Sequence, residues 1–261
     1  MGINGIKRKD RIKESLNRKG QVSVSELVSM FKVSEVTVRR YLEELEKEKF
    51  LVRTYGGAVR MESSISSEFF FGEKSKKNIT EKRTIAKESV AMIKNGETIF
   101  FDTGTTTLEI CKLLVKSGKT PVVVTTSLPI VSELSQAGHI KVFVLGGFLR
   151  RELMDFSGHF LREEIANFTF DQAFLGVDAI SAEKGLTTTD TVTAGMEEAA
   201  MDKARIINIV ADYSKIGRVS LIPYGNIRTM KKAKRIITDS RADRKELEKL
   251  KNLGFEIRIA R

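Results

Sequence analysis

The chain has 261 residues, 41% of them hydrophobic, which is enough for a small domain plus one substantial core. No apolar run approaches the roughly 18 to 20 residues that cross a bilayer, and the N-terminus lacks the apolar centre of a signal peptide, so membrane and secreted classes are set aside and a cytoplasmic protein is expected. A single cysteine and two histidines exclude an internal disulfide and leave little for a structural zinc or a Cys-His catalytic pair, while the net charge of +11 suits a polyanionic partner without requiring one. No metal and no cofactor are expected.

Basic residues gather at the start of the chain. Lys7, Arg8, Lys9, Arg11, Lys13, Arg18 and Lys19 are opposed there only by Asp10 and Glu14, which predicts a basic helix over 7–18 able to lie along a phosphate backbone. Residues 21–24 form a short extended piece, and Ser23 with Glu26 makes a capping box for a short helix over 26–31. Lys32, Val33 and Ser34 then give a turn of the length found inside a helix-turn-helix.

In the next segment Val38, Leu42 and Leu45 fall at i, i+4 and i+7, one stripe of a 3.6-residue helix, with Ser34 as its N-cap. Val36, Thr37, Arg39 and Arg40 point off that stripe and offer a methyl-bearing side chain, a hydroxyl and two guanidinium groups to base edges and phosphates. Alone, the segment also fits an ordinary amphipathic surface helix; its neighbours favour DNA. Residues 50–54 and 58–61 are strand-like around Tyr55-Gly56-Gly57, a hairpin in which the glycines are expected to take positive φ and Arg53, Tyr55 and Arg60 to face phosphates. The order predicts a winged helix-turn-helix over 1–61 that meets double-stranded operator DNA through Ser34, Val36, Thr37, Arg39, Arg40, Arg53 and Tyr55.

The run VSEVTVRRYLEELEKEKFLVRTYGGAV resembles the DNA-binding domain of the DeoR family of bacterial transcriptional regulators, whose pattern is VS-x-x-T-I-R-R-D-L-x-x-L-E followed by L-x-R-x-x-G-G-A. Tyr41 stands where that pattern has Asp, a departure expected to alter operator preference more than DNA binding.

Residues 62–82 carry paired serines, then Phe69-Phe70-Phe71 and a charged stretch without helical or alternating periodicity, and are expected to be an interdomain linker. Three phenylalanines are too apolar for a free tether, so docking on the second domain or a neighbouring subunit is expected. From residue 83 helical and strand-like segments alternate: helices over 83–93, 107–116, 129–136, 193–203 and 243–253, strands over 98–101, 122–125, 140–145, 172–175, 206–211, 235–238 and 256–259. That rhythm predicts a doubly wound, mostly parallel α/β effector domain over 83–261, with any ligand at the carboxyl ends of its strands.

The candidate pocket begins at Asp102-Thr103-Gly104-Thr105-Thr106-Thr107, where a strand gives way to a helix. Helix-start N–H groups, the Gly104 backbone and the hydroxyls of Thr105, Thr106 and Thr107 suit an anion; Asp102 would repel phosphate but could accept from a sugar hydroxyl. The same residues also fit simple helix capping. Other polar strand ends are Thr126 with Ser127, Gly146 and Gly147 followed by Arg150 and Arg151, Gly176-Val177-Asp178, and Asp212-Tyr213-Ser214-Lys215. Together they suit a small phosphorylated polyol, with Lys215 either a phosphate partner or an ordinary surface lysine.

These stretches also resemble the family's effector domain, which shows D-x-G-T-T-T, T-N-S, L-G-G, G-L-T-T and D-S-S-K in this order; here they are DTGTTT, TTS with Thr126 for Asn, LGG, GLTT and DYSK. The resemblance implies a fold similar to ribose-5-phosphate isomerase, a phosphorylated sugar as effector, and a repressor of carbohydrate-metabolism genes released from its operator. Against isomerase activity, the D-G-A-D-E run of that enzyme is Leu175-Gly176-Val177-Asp178-Ala179 here, and Leu186-Thr187-Thr188 replaces its glycine run after Lys184-Gly185. No enzyme is expected. A homo-oligomer is, because one winged helix spans only a half-site.

Overall fold

The computed structural model describes residues 3–19, 21–48, 50–54, 56–60, 71–227 and 232–261. The chain divides into two compact units, Met1–Lys74 and Ser75–Arg261. Among the described residues no helix is long and apolar enough to cross a membrane.

The first unit runs α1 (Ile3–Lys19), β1 (Gln21–Ser23), α2 (Val24–Phe31), α3 (Glu35–Lys47), β2 (Leu51–Thr54) and β3 (Gly57–Arg60). Its strands form an antiparallel sheet in the order β1-β3-β2, the wing. Ser23 caps α2 by accepting from Glu26 N at 3.1 Å, and Lys32 ends it in the left-handed conformation at φ 50°. Ile12 and Leu16 of α1, Leu27 of α2, Val38, Leu42 and Leu45 of α3 and Leu51 of β2 meet in one core. Gly57 is required for a different reason than expected: its φ is not left-handed, but a Cβ there would meet Val22 O at 2.0 Å, so only glycine lets β3 close on β1.

Tyr41 packs into the core of this unit. It is 4% exposed, on the same face as Val38, Leu42 and Leu45, with its hydroxyl 3.4 Å from Arg8 Nη1. At i+3 from Val38 it widens the apolar stripe into the core, so its departure from the family pattern is a packing change and not a DNA contact.

Residues 61–70, which include the first nine of the 21 residues of the expected linker, lie outside the described residues. The remainder of that stretch is largely helical, in α4 (Phe71–Lys76) and α5 (Ile79–Met92). Helix α5 starts four residues before its expected first residue because Asn78, at φ 52°, turns the chain into it.

The second unit is built on a seven-stranded, wholly parallel sheet. Its strands in chain order are β4 (Thr98–Phe101), β5 (Val122–Thr125), β6 (Lys141–Val144), β9 (Phe170–Leu175), β12 (Ala204–Val210), β14 (Ala233–Asp239) and β15 (Phe255–Ala260). Their order in space is β15-β14-β12-β9-β4-β5-β6. The chain winds outward from β4 through α6 (Thr105–Lys116) and α7 (Leu128–Leu134) to β6, then restarts at β9 and winds the other way through α9 (Thr191–Lys203) and α10 (Arg244–Asn252). The winding reverses between β4 and β9, the point at which open parallel sheets of this kind place a crevice at the carboxyl ends of their strands. Four fully buried phenylalanines fix that junction: Phe101 stacks on Phe174 at 5.2 Å and Phe100 tilts against Phe170 at 5.4 Å. Each contributes about 1.5 to 3 kcal/mol by burial.

Two smaller pieces escaped the sequence reading. A hairpin of β7 (Phe148–Arg150) and β8 (Asp155–Ser157) leads into α8 (Leu161–Ala166), and an antiparallel sheet joins β10 (Ala179–Ser181), β11 (Gly185–Thr188) and β13 (Ile222–Tyr224) in that order.

Candidate functional sites

In the first unit, the Ser34 hydroxyl caps α3, accepting from Thr37 N at 3.3 Å and lying 2.9 Å from Thr37 Oγ1. Val36 is 78% exposed at the next turn, an apolar side chain left in solvent for no reason of folding. Arg39 and Arg40 are also exposed; Arg39 donates to Glu35 Oε1 at 2.6 Å, and the Arg40 guanidinium lies 5.8 Å from the Tyr41 ring. The Arg39–Glu35 pair is an exposed i, i+4 bridge that a phosphate can displace at little cost. Arg53 stands exposed on β2, its backbone N–H donating to Glu46 Oε1 at 2.9 Å; Tyr55 lies outside the described residues.

The basic helix α1 is partly committed inside the unit. Lys9 pairs with Glu44 at 3.4 Å and Glu48 at 3.0 Å, and Lys13 with Glu48 at 2.9 Å, tying α1 to α3. Hydrogen bonds from Lys13 and Lys9 hold the Glu48 carboxyl below the usual carboxylate range. These two lysines brace α3, where the sequence suggested a phosphate-facing row.

In the second unit the expected loop sits in the crevice. Asp102 is buried and its carboxylate is taken by local backbone and hydroxyl groups: Oδ1 accepts from Gly104 N at 2.9 Å and lies 2.7 Å from Thr107 Oγ1, and Oδ2 accepts from Gly176 N at 2.6 Å. Asp102 therefore ties the end of β4 to the start of α6 and to the end of β9, an organising role beside the sugar-hydroxyl contact expected of it. A Cβ on Gly104 or Gly176 would come within 3.0 and 3.1 Å of that carboxylate, which explains a glycine on each side. Thr105, Thr106 and Thr107 are all buried at the first turn of α6, Thr107 completely.

Asp178, two residues beyond Gly176, accepts through Oδ2 from Thr188 Oγ1 at 3.0 Å, Thr189 N at 3.1 Å and Thr189 Oγ1 at 3.2 Å. Thr126 and Ser127 are buried under the β7–β8 hairpin, with Phe156 N donating to Thr126 O and Ser127 capping α7. Lys215 closes a single 3-10 turn after β12, where Asp212 Oδ1 accepts from Ser214 N and from Asn78 Nδ2, both at 2.9 Å. Next to it Arg241 stacks on the Tyr213 ring at 3.7 Å and pairs with Glu81 at 2.7 Å, so this end of the sheet is bound to the first turn of α5.

The sheet order sets which groups one ligand can touch. Adjacent strands are about 4.8 Å apart, so β4 and β12 are separated by roughly 10 Å and β6 and β12 by roughly 19 Å. The loop over 102–107, Asp178 and Lys215 fall within the first span. Gly146 and Gly147, exposed beyond β6, do not share a small ligand with Lys215; Gly147 instead admits Ser157 O, which a Cβ would meet at 2.3 Å.

A charge cluster missed as such lies above β5. Arg150 forks onto Asp155 (Nε to Oδ1 2.8 Å, Nη2 to Oδ2 2.6 Å) and donates through Nη1 to Asp190 Oδ1 at 2.7 Å. Asp155 is wholly buried, and burial outweighs Arg150 to raise its carboxyl, whereas Arg150 and the Thr193 N–H outweigh burial to lower that of Asp190. Asp190 also caps α9, so one guanidinium holds hairpin to helix. The five-residue spacing of Arg150 and Asp155 would have shown the hairpin; nothing in sequence brings in Asp190. Behind the crevice, burial and the nearby Glu197, Asp102 and Asp178 push the Tyr224 hydroxyl well above its ordinary pKa. Among the described residues no cluster of His, Cys, Asp and Glu could hold a metal.

Residues 8–64 match the DeoR-like helix-turn-helix domain, and residues 77–240 match the DeoR C terminal sensor domain. The chain belongs to the DeoR family. It is 34% identical, over 96% of its length and 92% of the relative's, to a protein of Escherichia coli O157:H7 named for repression of the aga operon. It is also 34% identical, over 96% of both chains, to the HTH-type transcriptional regulator GlpR of Haloferax volcanii. The lactose phosphotransferase system repressor of Staphylococcus aureus strain NCTC 8325 is 31% identical over 83% of this chain and 86% of its own. Ribose 5-phosphate isomerase A from Methanocaldococcus jannaschii superposes on 53% of this chain and 54% of its own with a TM-score of 0.40 at 21% identity, a likeness that says nothing about chemistry. This DeoR-family chain is a DNA-binding transcriptional regulator and not an enzyme.

Proposed function

We propose that this regulator is a cytoplasmic, homo-oligomeric repressor of carbohydrate-metabolism genes that leaves its operator when a phosphorylated sugar enters the β4–β9 crevice. The winged helix meets DNA through Ser34, Val36, Thr37, Arg39, Arg40 and Arg53. In the sensor, the first-turn N–H groups of α6 with Gly104, Thr105, Thr106 and Lys215 hold the phosphate, and Asp178 and its threonines lie along the polyol. The observation that carries this reading is the Asp102 carboxylate, whose three contacts fix the α6 start at the point where winding reverses and so preorganise the loop before any ligand arrives. The relatives named for the aga operon and for a lactose system support a carbohydrate as the signal. Effector and operator then oppose one another through a shared equilibrium, each weakening the other by the same factor.

The test is calorimetric titration of the full chain with phosphorylated sugars and their unphosphorylated counterparts, paired with operator release. Phosphorylated forms should bind and release, unphosphorylated forms should do neither, and Thr105→Glu or Lys215→Met should keep operator binding but lose release. Normal release in a folded Thr105→Glu protein places the phosphate elsewhere and leaves the loop a helix cap.

A further inference from the structure

The two edges of the parallel sheet are finished differently. At β15, Glu256 pairs with Arg235 at 2.7 Å and with Arg258 at 2.6 Å, so charged side chains line that edge and oppose strand addition. At β6 the sequence is Lys141-Val142-Phe143-Val144, with β5 on one side and no strand on the other among the described residues. Leu145 N donates to Thr125 O at 3.0 Å; because successive N–H groups of a strand alternate in direction, those of Val142 and Val144 face away from β5 into the open edge.

Apolar side chains gather around this edge. Phe143, Val144, Phe148, Leu149 and Phe160 are 44%, 45%, 80%, 40% and 72% exposed. They belong to one corner: β6 runs through two glycines into β7, and Phe143 packs edge-on at 5.7 Å against Phe168, which follows the α8 helix that Phe160 precedes. Summed, they expose on the order of 500 Å² of apolar surface. That is more than half of the roughly 800 Å² one partner gives to a stable interface.

We propose that the β6 edge and the corner holding Phe148 and Phe160 form the seam between two copies of this chain. A sheet edge is its own complement. Turned about a two-fold axis near Phe143, a second β6 runs antiparallel to the first and its outward N–H and C=O groups answer those of Val142 and Val144, joining both sheets into one. The same axis sets Lys141 opposite Leu145 of the other copy, so the lysines do not face each other. The seam rests on the homo-oligomer proposed above and not on the crevice assignment: single chains in the unaltered protein would sink both, whereas assembly that survives the β6-corner substitutions would sink the seam alone.

Sedimentation equilibrium of the full chain at micromolar concentration tests this. The unaltered chain is expected to sediment as two copies or a multiple of two. Phe148→Asp and, separately, Val144→Lys should halve the number of copies and raise the dissociation constant at least tenfold, with circular dichroism and melting of the separated chain unchanged. Ile259→Lys on the β15 edge should leave assembly intact. Single chains in the unaltered protein, full assembly in both β6-corner variants, or dissociation by Ile259→Lys each overturns the proposal and assigns the patch to some other segment or partner.

Discussion

Arg150→Met tests the buried charge cluster directly. Methionine keeps most of the stem volume but removes the cation, leaving Asp155, wholly buried, with no counter-charge and with Asp190 close by. Breaking a buried pair from one side costs about 3 to 5 kcal/mol, because the remaining charge stays desolvated. For a folding unit of this size each kcal/mol lowers the melting temperature by roughly 2 to 4 °C, so a fall of about 6 to 20 °C is expected. Adding Asp155→Leu should restore a large part of the loss, since Asp190 is about one-third exposed and can turn to water. Acidification should also narrow the gap, as the already raised Asp155 carboxyl becomes neutral in the variant. Denaturant and thermal melts of the single and double variants decide the matter. A loss under about 1 kcal/mol for Arg150→Met, the scale of an exposed pair, would refute the argument.

Three further outcomes can be checked. Tyr41→Ala should cost about 3 to 5 kcal/mol in the winged-helix unit by emptying a core position, and Tyr41→Phe at most about 1 kcal/mol, because only a 3.4 Å contact to Arg8 is lost; equal melts for both would remove Tyr41 from the core. Arg40→Ala should leave the melt unchanged while costing about 1 to 3 kcal/mol of specific operator affinity in a salt-controlled titration, and unaltered specific binding would show that Arg40 touches no base. The lowered Asp190 carboxyl contributes stability that is fully present above the ordinary aspartate value and disappears as pH falls through its lower folded value. The stability advantage of the unaltered chain over Asp190→Asn, which keeps a capping side chain, should therefore shrink to nothing in acid; an advantage independent of pH would assign it to packing.

Much of this molecule is legible from pattern. All seven strands of the main sheet overlap the strand-like runs between turn signals, most closely at β4 and β5, which are buried along nearly their whole length and so are almost wholly apolar. The α3 stripe appears in Val38, Leu42 and Leu45, but a tyrosine can sit in either a core or a surface, and only packing against Arg8 and the rest of α1 decides for Tyr41. The small elements were hidden for another reason: β10, β11 and β13 are only three or four residues long, too short for a periodicity to show, and β13 joins β11 from more than thirty residues further on. At the crevice, the loop over 102–107 was visible from its residue types. What Asp102 does was not, since its second oxygen is answered by Gly176, 74 residues further on.

That separation orders events during synthesis. The core of the winged helix draws on residues 12–58, so everything it needs has emerged while the rest of the chain is still being made. Strand β4 and its threonine loop emerge next, yet they wait for β9 to supply both the stacking partner of Phe101 and the N–H that holds Asp102 in place. A nascent chain halted after residue 58 and before residue 176 thus has the core of its winged helix complete and its sensor still unmade. Each new molecule completes the core of its DNA-reading unit before its sensor crevice exists.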